Sequence, residues 1–257
     1  MQNCEQDNNF QIYVAKVLKK WYNKNINIVQ LKHREMKYMN NKQIHVFAGH
    51  FGSGKTEAAL NFAMKKRAEG KSVAIIDLDI VNPYFRTNDA ATELQRMGIR
   101  LISNGFASTN LDMPIVPATV LGVFESPEEV VIFDVGGDED GAYALGQYSR
   151  LFAEHDYSMH LVMNARRPLT PDAASLYEMA KEIESASRLR FTDIYNNTNL
   201  ASQTDTEVLL SGVKAAEELS EMMGIPVAYH CGTSDVIKNV PEELKTFEMN
   251  ITIKMPF

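Results

Sequence analysis

Seven short apolar segments recur along the chain from Gln43 onward, and they restrict the fold more than any other feature of the sequence. They are residues 44–48, 73–77, 99–103, 130–134, 159–163, 191–196 and 225–230. Helical patterns occupy stretches between them. Apolar runs that alternate with helical segments are typical of buried parallel strands joined by crossover helices. We therefore predict an α/β fold with one doubly wound, mostly parallel, seven-stranded sheet.

The ends of two connecting helices can also be placed. The first should begin at Lys55, carry basic residues at positions 65–67, where the helix dipole favours cations, and end at Gly70. Its apolar face consists of Ala58, Ala59, Phe62 and Ala63. A second helix is predicted to open at Pro171-Asp172. The closing residues 249–257 alternate apolar and polar side chains, which predicts an edge strand.

Residues 1–41 differ from the rest of the chain and are treated as an N-terminal extension of a domain that spans residues 42–257. The extension is rich in Asn, Gln and Lys and contains one amphipathic helical pattern. One hypothesis is that the native start is Met36 or Met39, because the codons of Arg34-Glu35 can spell a purine-rich ribosome-binding site. The other is a genuine helix that packs on the domain or tethers a partner.

Composition indicates a single globular domain rather than a fibrous or disordered chain. The chain has 257 residues, of which 45% are hydrophobic and 23% charged. Its net charge of -7 argues against nucleic acid as a partner. Cys4 and Cys231 lack the spacing of a zinc site or a disulfide framework, and no apolar run is long enough for a membrane span. We expect a cytoplasmic protein without membrane attachment.

The segment Gly49-His50-Phe51-Gly52-Ser53-Gly54-Lys55-Thr56 has the pattern of a phosphate-binding loop. Glycines let the backbone N–H groups approach an anion closely, and the predicted helix that follows adds its N-terminus. Lys55 is expected to reach the β- and γ-phosphates, and the Thr56 hydroxyl is expected to ligate magnesium. The loop between strand and helix therefore predicts a P-loop NTPase fold that binds a nucleoside triphosphate with Mg²⁺.

Carboxylates follow two of the predicted strands, at the edge where parallel strands end together. Asp134 closes the fourth strand and precedes Gly136-Gly137, a layout in which Asp134 serves the magnesium shell and the Gly137 N–H senses the γ-phosphate. Asp77 and Asp79 end the second strand, two residues apart, so in an extended conformation both face the same side. One carboxylate can serve the metal while the other orients the attacking water.

Taken together, the glycine-rich loop, Asp77-Leu78-Asp79-Ile80 and Asp134-Val135-Gly136-Gly137 resemble the CobQ/CobB/MinD/ParA nucleotide-binding proteins of the SIMIBI class. The string Asp-Ile-Val-Asn-Pro-Tyr-Phe-Arg at residues 79–86 is similar to a poorly characterised bacterial branch of ATP-binding proteins in that class. The resemblance implies that Asp79 is the water-orienting residue and that Asp77 and Asp134 surround the metal. It also implies that Lys55 and Thr56 contact phosphate and magnesium, and that Gly137 contacts the γ-phosphate.

The resemblance is incomplete at the loop and at the base site. MinD and ParA proteins carry a second lysine early in the loop, and His50 stands there in this chain, which puts their dimerisation mechanism in doubt. Asn196 and Asn197, after the sixth strand, are similar to asparagines that contact adenine in MinD-like proteins. Ordinary turn asparagine is the alternative. Arg166-Arg167-Pro168 follows the fifth strand and is interpreted either as stacking near the base or as a solvated pair.

The sequence thus predicts a Mg²⁺-dependent ATP-binding protein with slow or partner-stimulated ATPase activity, which acts as a switch with a protein partner or as a homodimer. One alternative is a GTPase metallochaperone of the CobW, UreG and HypB kind, although the chain lacks Asn-Lys-x-Asp and a Cys-x-Cys-Cys or His-rich segment. Another is an ATP-dependent ligase or amidase like CobB or dethiobiotin synthetase, with residues 104–119 as a pocket wall. A third is a nucleotide-gated scaffold that signals through a helix at residues 141–154.

Overall fold

A parallel β-sheet forms the centre of the computed structural model, which describes residues 42–79, 88–103, 118–137 and 139–251. The strands are β1 (Gln43–Ala48), β2 (Val73–Leu78), β3 (Ile99–Ser103), β4 (Val130–Val135), β5 (Tyr157–Met163), β6 (Asp193–Asn196), β7 (Val227–Gly232) and β8 (Thr246–Glu248). The helices are α1 (Lys55–Ala68), α2 (Asn88–Arg96), α3 (Ala118–Leu121), α4 (Glu139–Gly146), α5 (Ser149–Phe152), α6 (Ala173–Ser187), α7 (Thr206–Leu210), α8 (Val213–Met223) and α9 (Ser234–Ile237). A short 3-10 turn covers Ala201–Gln203.

The order of the strands places β1 in the interior of the sheet, between β4 and β5. The full order is β3-β2-β4-β1-β5-β6-β7-β8, and every strand pair in the described part is parallel. The chain builds outward from β1 on one side through β4, β2 and β3, and on the other side from β5 to β8. In such sheets a ligand binds at the carboxyl ends of the strands, where the order reverses. The loop after β1 lies at this position.

The sequence predicted seven of these strands, and the described sheet contains an eighth. The α/β class and the parallel arrangement are confirmed. Residues 249–251, the described part of the predicted edge strand at 249–257, are not in a strand. The edge strand of the described sheet is β8, at Thr246–Glu248, which pairs with β7. Phe247 and Met249 are buried while Ile251 is exposed, so the buried alternation begins two residues before the predicted start. Residues 252–257 lie outside the described residues.

Helices cover both faces of the sheet, and neighbouring strand residues alternate between the two cores. Helix α1 buries Ala58, Ala59, Phe62 and Ala63 against Phe47, Ile75 and Ile132. On the opposite face, Leu145 of α4, Leu176 of α6 and Leu219 of α8 belong to a cluster with Val46, Ile76 and Phe133. Each buried Val, Leu, Ile or Phe side chain contributes about 1.5–3 kcal/mol. These two cores hold the strand ends that carry the polar residues of the candidate site.

The two predicted helix starts are both observed. Helix α1 begins at Lys55 after Gly54, which adopts φ 85° and leaves the first turn without a side-chain cap. Helix α6 begins after Asp172, whose side chain accepts from the Ser175 N–H in a capping box. The predicted N-terminal extension and its helix lie outside the described residues. Within the described ranges, no helix combines the length and the apolar character needed to cross a membrane.

Candidate functional site

The glycine-rich loop, residues 49–56, connects β1 to α1 at the carboxyl edge of the sheet. A backbone hydrogen bond from Ser53 N to His50 O (3.0 Å) closes a turn inside it. Gly52 and Gly54 have φ values of 73° and 85°, which L side chains rarely adopt. The N-cap residue of α1, Gly54, makes no side-chain cap, so N–H groups of the first turn are available as donors for an anion. The local structure therefore has the features that the sequence predicted for phosphate binding.

Two side chains from neighbouring loops hold successive carbonyl groups of this loop. Arg167, after β5, donates from Nε to the Gly52 carbonyl oxygen at 2.7 Å. Asn197, after β6, donates from Nδ2 to the Ser53 carbonyl oxygen at 2.7 Å. Asn197 is buried, and a Cβ on Gly54 would overlap its Nδ2. The loop is thus attached to the β5 and β6 side of the sheet through side-chain hydrogen bonds.

On the other side of the loop, two buried aspartates lie side by side on neighbouring strands. Asp77 of β2 and Asp134 of β4 are in register, and Asp134 is also in register with Phe47 of β1. Both carboxylates are almost fully buried, at 2% and 1% exposure. Strand neighbours are about 4.8 Å apart. The sequence prediction that these carboxylates meet beside the loop agrees with this register.

The electrostatics of Asp134 reflect its burial between like and opposite charges. Burial raises the pKa of Asp134 to about 7, and nearby Asp77 and Asp79 also raise it. The ammonium group of Lys55 and a side-chain hydrogen bond with Thr56 act in the opposite direction. Lys55 is itself buried, at 5% exposure. The lysine, the threonine and the three carboxylates are therefore close enough to share one electrostatic environment.

The donor set of this cluster fits a divalent cation. Asp134 Oδ1 is buried and has no hydrogen-bond partner in the described part of the chain, and the same is true of the Ser53 hydroxyl. Among residues 42–79, 88–103, 118–137 and 139–251, no group of three or more His, Cys, Asp or Glu side chains is arranged to hold a metal. Magnesium is usually bound by one or two carboxylates together with phosphate oxygens and water. Asp77, Asp134 and Thr56 match that smaller set.

Asp79 lies one residue beyond the end of β2 and differs from Asp77 in exposure. The Asp79 N–H donates to Asp77 Oδ1 at 2.9 Å, so the chain turns at this point. Asp79 is partly exposed, whereas Asp77 is buried. The predicted division of roles, with one carboxylate at the metal and the other at water, agrees with this difference but stays a prediction. Residues 80–87, which include most of the string at residues 79–86 that carries the family resemblance, lie outside the described residues.

Gly137 lies directly against the glycine-rich loop. A Cβ at this position would be 2.7 Å from both the Cα and the N of Phe51, and 2.9 Å from Lys55 Nζ. No side chain fits here without displacing the loop. Helix α4 begins two residues later, at Glu139. The predicted contact between Gly137 and a γ-phosphate stays a prediction, but the structure does place this glycine next to the predicted phosphate-binding lysine.

The asparagines that were predicted to contact a base are engaged with protein atoms. The Oδ1 of Asn196 accepts from Thr198 N (3.1 Å) and from Thr198 Oγ1 (2.7 Å). Its Nδ2 lies 3.0 Å from His230 Nδ1. The Asn197 side chain donates to the Ser53 carbonyl oxygen. Both residues therefore support loop structure here, and their contact with adenine stays a prediction.

The remaining candidates fall into different environments. The ring of His50 bonds the neighbouring Phe51 carbonyl through Nδ1 (3.0 Å), and Phe51 is 62% exposed. Arg166 is exposed and donates to Ser211 Oγ at 3.1 Å, unlike Arg167. The predicted pocket wall at residues 104–119 is largely outside the described residues. The predicted helix at 141–154 is divided into α4 and α5.

Sequence reasoning missed the polar network that supports the loops after β5 and β6. The Oδ1 of Asn164 accepts from Arg166 N (2.9 Å) and Asn199 N (3.2 Å), and its Nδ2 donates to Asn199 O (3.2 Å). Asn164 is 1% exposed and comes directly after the apolar β5. A polar residue at the end of a buried strand was the available signal. The role of Arg167 had no comparable signal, because Arg166 and Arg167 look alike in the sequence.

Comparisons with solved structures identify similar folds. The chain is similar to cell division protein FtsY from Thermotoga maritima, with 22% identity over 72% of this chain and 60% of that chain and a TM-score of 0.51. It is similar to a nucleotide-binding protein from Archaeoglobus fulgidus in complex with ADP, with 17% identity, 77% and 84% coverage and a TM-score of 0.50. It is also similar to the signal recognition particle 54 kDa protein from Aeropyrum pernix in complex with GDP, with 19% identity, 73% and 40% coverage and a TM-score of 0.50.

These similarities define the class of the fold. The chain spans 60% of FtsY and 40% of the signal recognition particle protein. No protein-family profile matches the sequence, and no curated protein gives a significant match. Together with the loop and the strand order, the similar structures show that this chain has a P-loop NTPase fold. The narrower resemblance to CobQ/CobB/MinD/ParA proteins stays a prediction.

Proposed function

We propose that this chain is a Mg²⁺-dependent ATP-binding protein with slow or partner-stimulated ATPase activity, which acts as a nucleotide switch. The observation that carries the proposal is the cluster beside the glycine-rich loop. Asp77 and Asp134 are in register on adjacent strands, and Thr56 and Lys55 are close enough to Asp134 to lower its pKa against the effect of burial. A cluster of one lysine, one hydroxyl and two carboxylates matches the needs of a triphosphate and its metal.

The triphosphate would be held by the loop backbone, the start of α1 and Lys55. Lys55 is buried at 5% exposure, so its charge is poorly screened by water. In this environment a charge-assisted hydrogen bond to phosphate is stronger than one between neutral groups. Lys55 thus supplies the fixed positive charge of the proposed site, which is otherwise made of backbone dipoles.

The metal would be held by Thr56, Asp77 and Asp134. The unpartnered Oδ1 of Asp134 supports this assignment, because burying a carboxylate oxygen without a partner is costly unless a cation binds it. When bound, Mg²⁺ neutralises charge that develops on the β- and γ-phosphate oxygens. Asp79, which is partly exposed at the strand end, is proposed to orient the attacking water.

A switch needs an element that contacts the phosphate site and continues to a surface. Gly137 is packed against Phe51 and Lys55, and α4 follows it after one intervening residue. A displacement of Gly137 on nucleotide exchange would therefore be transmitted to α4, which packs against α6. A protein partner or a second copy of the chain that binds this helix would then respond to the nucleotide. His50 occupies the position where MinD and ParA proteins carry their second lysine, which argues against a dimer that depends on that lysine.

GTP remains an alternative nucleotide, because Asn196 and Asn197 are bonded to protein atoms. Their amides therefore offer less support for adenine than the sequence suggested. The chain still lacks the Asn-Lys-x-Asp pattern whose carboxylate pairs with guanine. The similar structures do not decide between the two, since one is a complex with ADP and another with GDP. We propose ATP as the nucleotide because the chain lacks the Asn-Lys-x-Asp carboxylate that would pair with guanine.

Competition binding with purified protein tests the proposal. A fluorescent ATP analogue is displaced by ATP or by GTP, with and without Mg²⁺, and turnover is measured in parallel. We expect ATP to compete at a lower concentration than GTP, and Mg²⁺ to tighten binding. Lys55→Ala should weaken binding strongly, while Lys65→Ala, at the exposed end of the same helix, should not. Preference for GTP would favour the GTPase alternative, and unchanged affinity in Lys55→Ala would contradict the site.

A further inference from the structure

We propose that Arg167 is a positioning residue that fixes the glycine-rich loop for triphosphate binding, through the hydrogen bond between its Nε and the Gly52 carbonyl oxygen. This inference rests on the proposed function, because it assigns a role within the same nucleotide site. The contact is short, at 2.7 Å, and joins residues that are 115 positions apart in the chain. It was not foreseen from the sequence, in which Arg166 and Arg167 are equivalent.

The guanidinium group packs closely against Gly52 as well as bonding to its carbonyl oxygen. A Cβ on Gly52 would be 3.0 Å from Arg167 Cζ and 3.0 Å from its Nε. Gly52 adopts φ 73°, a conformation that glycine populates readily. Glycine can also leave this conformation easily, because it has no side chain to restrict its backbone. A glycine in such a position needs external contacts to keep one conformation. Arg167 supplies both the packing and the hydrogen bond.

Holding a carbonyl also fixes the N–H of the same peptide group. In a planar trans peptide the two groups point in opposite directions. With the Gly52 carbonyl bound to Arg167, the Ser53 N–H points to the other side, where it donates to His50 O at 3.0 Å. The next peptide is held in the same way, since Asn197 binds the Ser53 carbonyl and so directs the Gly54 N–H away from itself. Two consecutive peptide planes of the loop are thus fixed from outside.

The segment that carries Arg167 is itself well anchored. Arg167 N donates to Asn164 O (3.2 Å), and Thr170 N donates to Arg167 O (3.1 Å). Pro168 follows and restricts the backbone of Arg167. Thr170 is buried, and its hydroxyl donates to the Asn164 carbonyl oxygen at 3.3 Å. Arg167 therefore presents its side chain from a fixed point beyond β5 rather than from a free surface.

Two modes of action for Arg167 make opposite predictions for two substitutions. Glutamine places a nitrogen donor at the same number of bonds from Cβ as the arginine Nε, but carries no charge. Lysine keeps the charge but has a methylene group where Nε stands. If Arg167 acts by positioning, Arg167→Gln retains function and Arg167→Lys loses it. If Arg167 acts through its charge on phosphate, the order is reversed.

The test combines triphosphate affinity with hydrogen exchange of the loop. We expect Arg167→Ala and Arg167→Lys to weaken triphosphate binding about 10-fold, which corresponds to about 1.4 kcal/mol, and Arg167→Gln to stay within about 3-fold of the natural protein. Without nucleotide, exchange of the peptide that covers residues 49–56 should be faster in the Ala and Lys variants and nearly unchanged in the Gln variant. Arg166→Ala, which removes the adjacent exposed arginine, should change neither quantity.

Rescue by lysine but not by glutamine would overturn the proposal, as would unchanged loop exchange in Arg167→Ala. The exchange measurement needs no nucleotide, so it separates this inference from the proposed function. If the natural protein bound neither ATP nor GTP, the proposed function would fail. A loop that became mobile in Arg167→Ala and not in Arg167→Gln would still support the positioning role.

Discussion

Replacing Asp134 with asparagine should stabilise the nucleotide-free protein at neutral pH. Burial raises the pKa of Asp134 from its ordinary 3.8 to about 7. Above pH 7 the folded protein must hold a buried negative charge, which the unfolded chain keeps in water. The difference is about three pH units at about 1.36 kcal/mol each, so the charge costs about 4 kcal/mol. Asparagine has nearly the same shape and avoids this cost.

The pH dependence has a definite sign. Between pH 4 and 7 the folded protein binds the Asp134 proton while the unfolded chain has released it. Stability from this group therefore falls as pH rises through that window and is constant above it. Below about pH 4 both states are protonated, and Asp134→Asn should match the natural protein. The gain should appear with rising pH and reach its full size, up to about 4 kcal/mol, above pH 7.

Urea unfolding at pH 4, 5.5, 7 and 8, without nucleotide or Mg²⁺, measures this difference. Asp235→Asn is a suitable control, because the Asp235 side chain is 94% exposed and should show no comparable gain. The same Asp134→Asn protein should lose the Mg²⁺-dependent part of its nucleotide affinity, because a neutral amide is a poor ligand for magnesium. A stability difference that does not change with pH would refute the reasoning about the buried charge.

Three further predictions address the rest of the chain. Asp79→Ala should keep nucleotide and Mg²⁺ binding but lower the rate of hydrolysis by roughly 10²-fold or more. Asp77→Ala should instead weaken Mg²⁺-dependent nucleotide binding. An equal loss of affinity in the two variants would show that both carboxylates serve the metal. Gly137→Ala should weaken triphosphate binding by about 1–3 kcal/mol, because the added Cβ would clash with the Phe51 backbone. Isothermal titration calorimetry measures this affinity, and an unchanged affinity would contradict the predicted clash. Removal of residues 1–38 should leave cooperative unfolding and nucleotide binding intact, as circular dichroism and binding assays would report.

The fold was predictable because its information is local and repeated. A strand that is buried on both faces needs a nearly continuous apolar run, as in Val73–Leu78 and Val130–Val135. Strand β8 was harder to place. Only Phe247 is buried within it, so three residues gave too short an alternation to fix its start. The order of the strands in the sheet was not predicted, since it depends on which edges pair after the chain has folded.

The candidate site was predictable only where one segment carries the chemistry. The glycine-rich loop needs no distant residue to be recognised, because its glycines and the helix behind it are contiguous. The hydrogen bonds of Asn197 and Arg167 are different, because their acceptors are loop carbonyls that lie 144 and 115 positions earlier in the chain. An amide or guanidinium group can bond a base, a phosphate or a carbonyl equally well. Sequence gives the donor, and tertiary structure selects the acceptor.

The contacts of the loop also indicate where a nucleotide-dependent movement would occur. On the β5 and β6 side, Arg167 and Asn197 hold the loop by hydrogen bonds of 2.7 Å, and Asn197 is buried. On the β4 side, Gly137 meets Phe51 and Lys55 by close packing. Asp134, on the same side, holds a charge that is costly until a cation binds. If the proposed site binds nucleotide and Mg²⁺, binding should change the energy of the β4 side more than that of the β5 side. Because α4 begins just beyond Gly137, a partner that reads the nucleotide state would be expected at α4 rather than at the loops that carry Arg167 and Asn197.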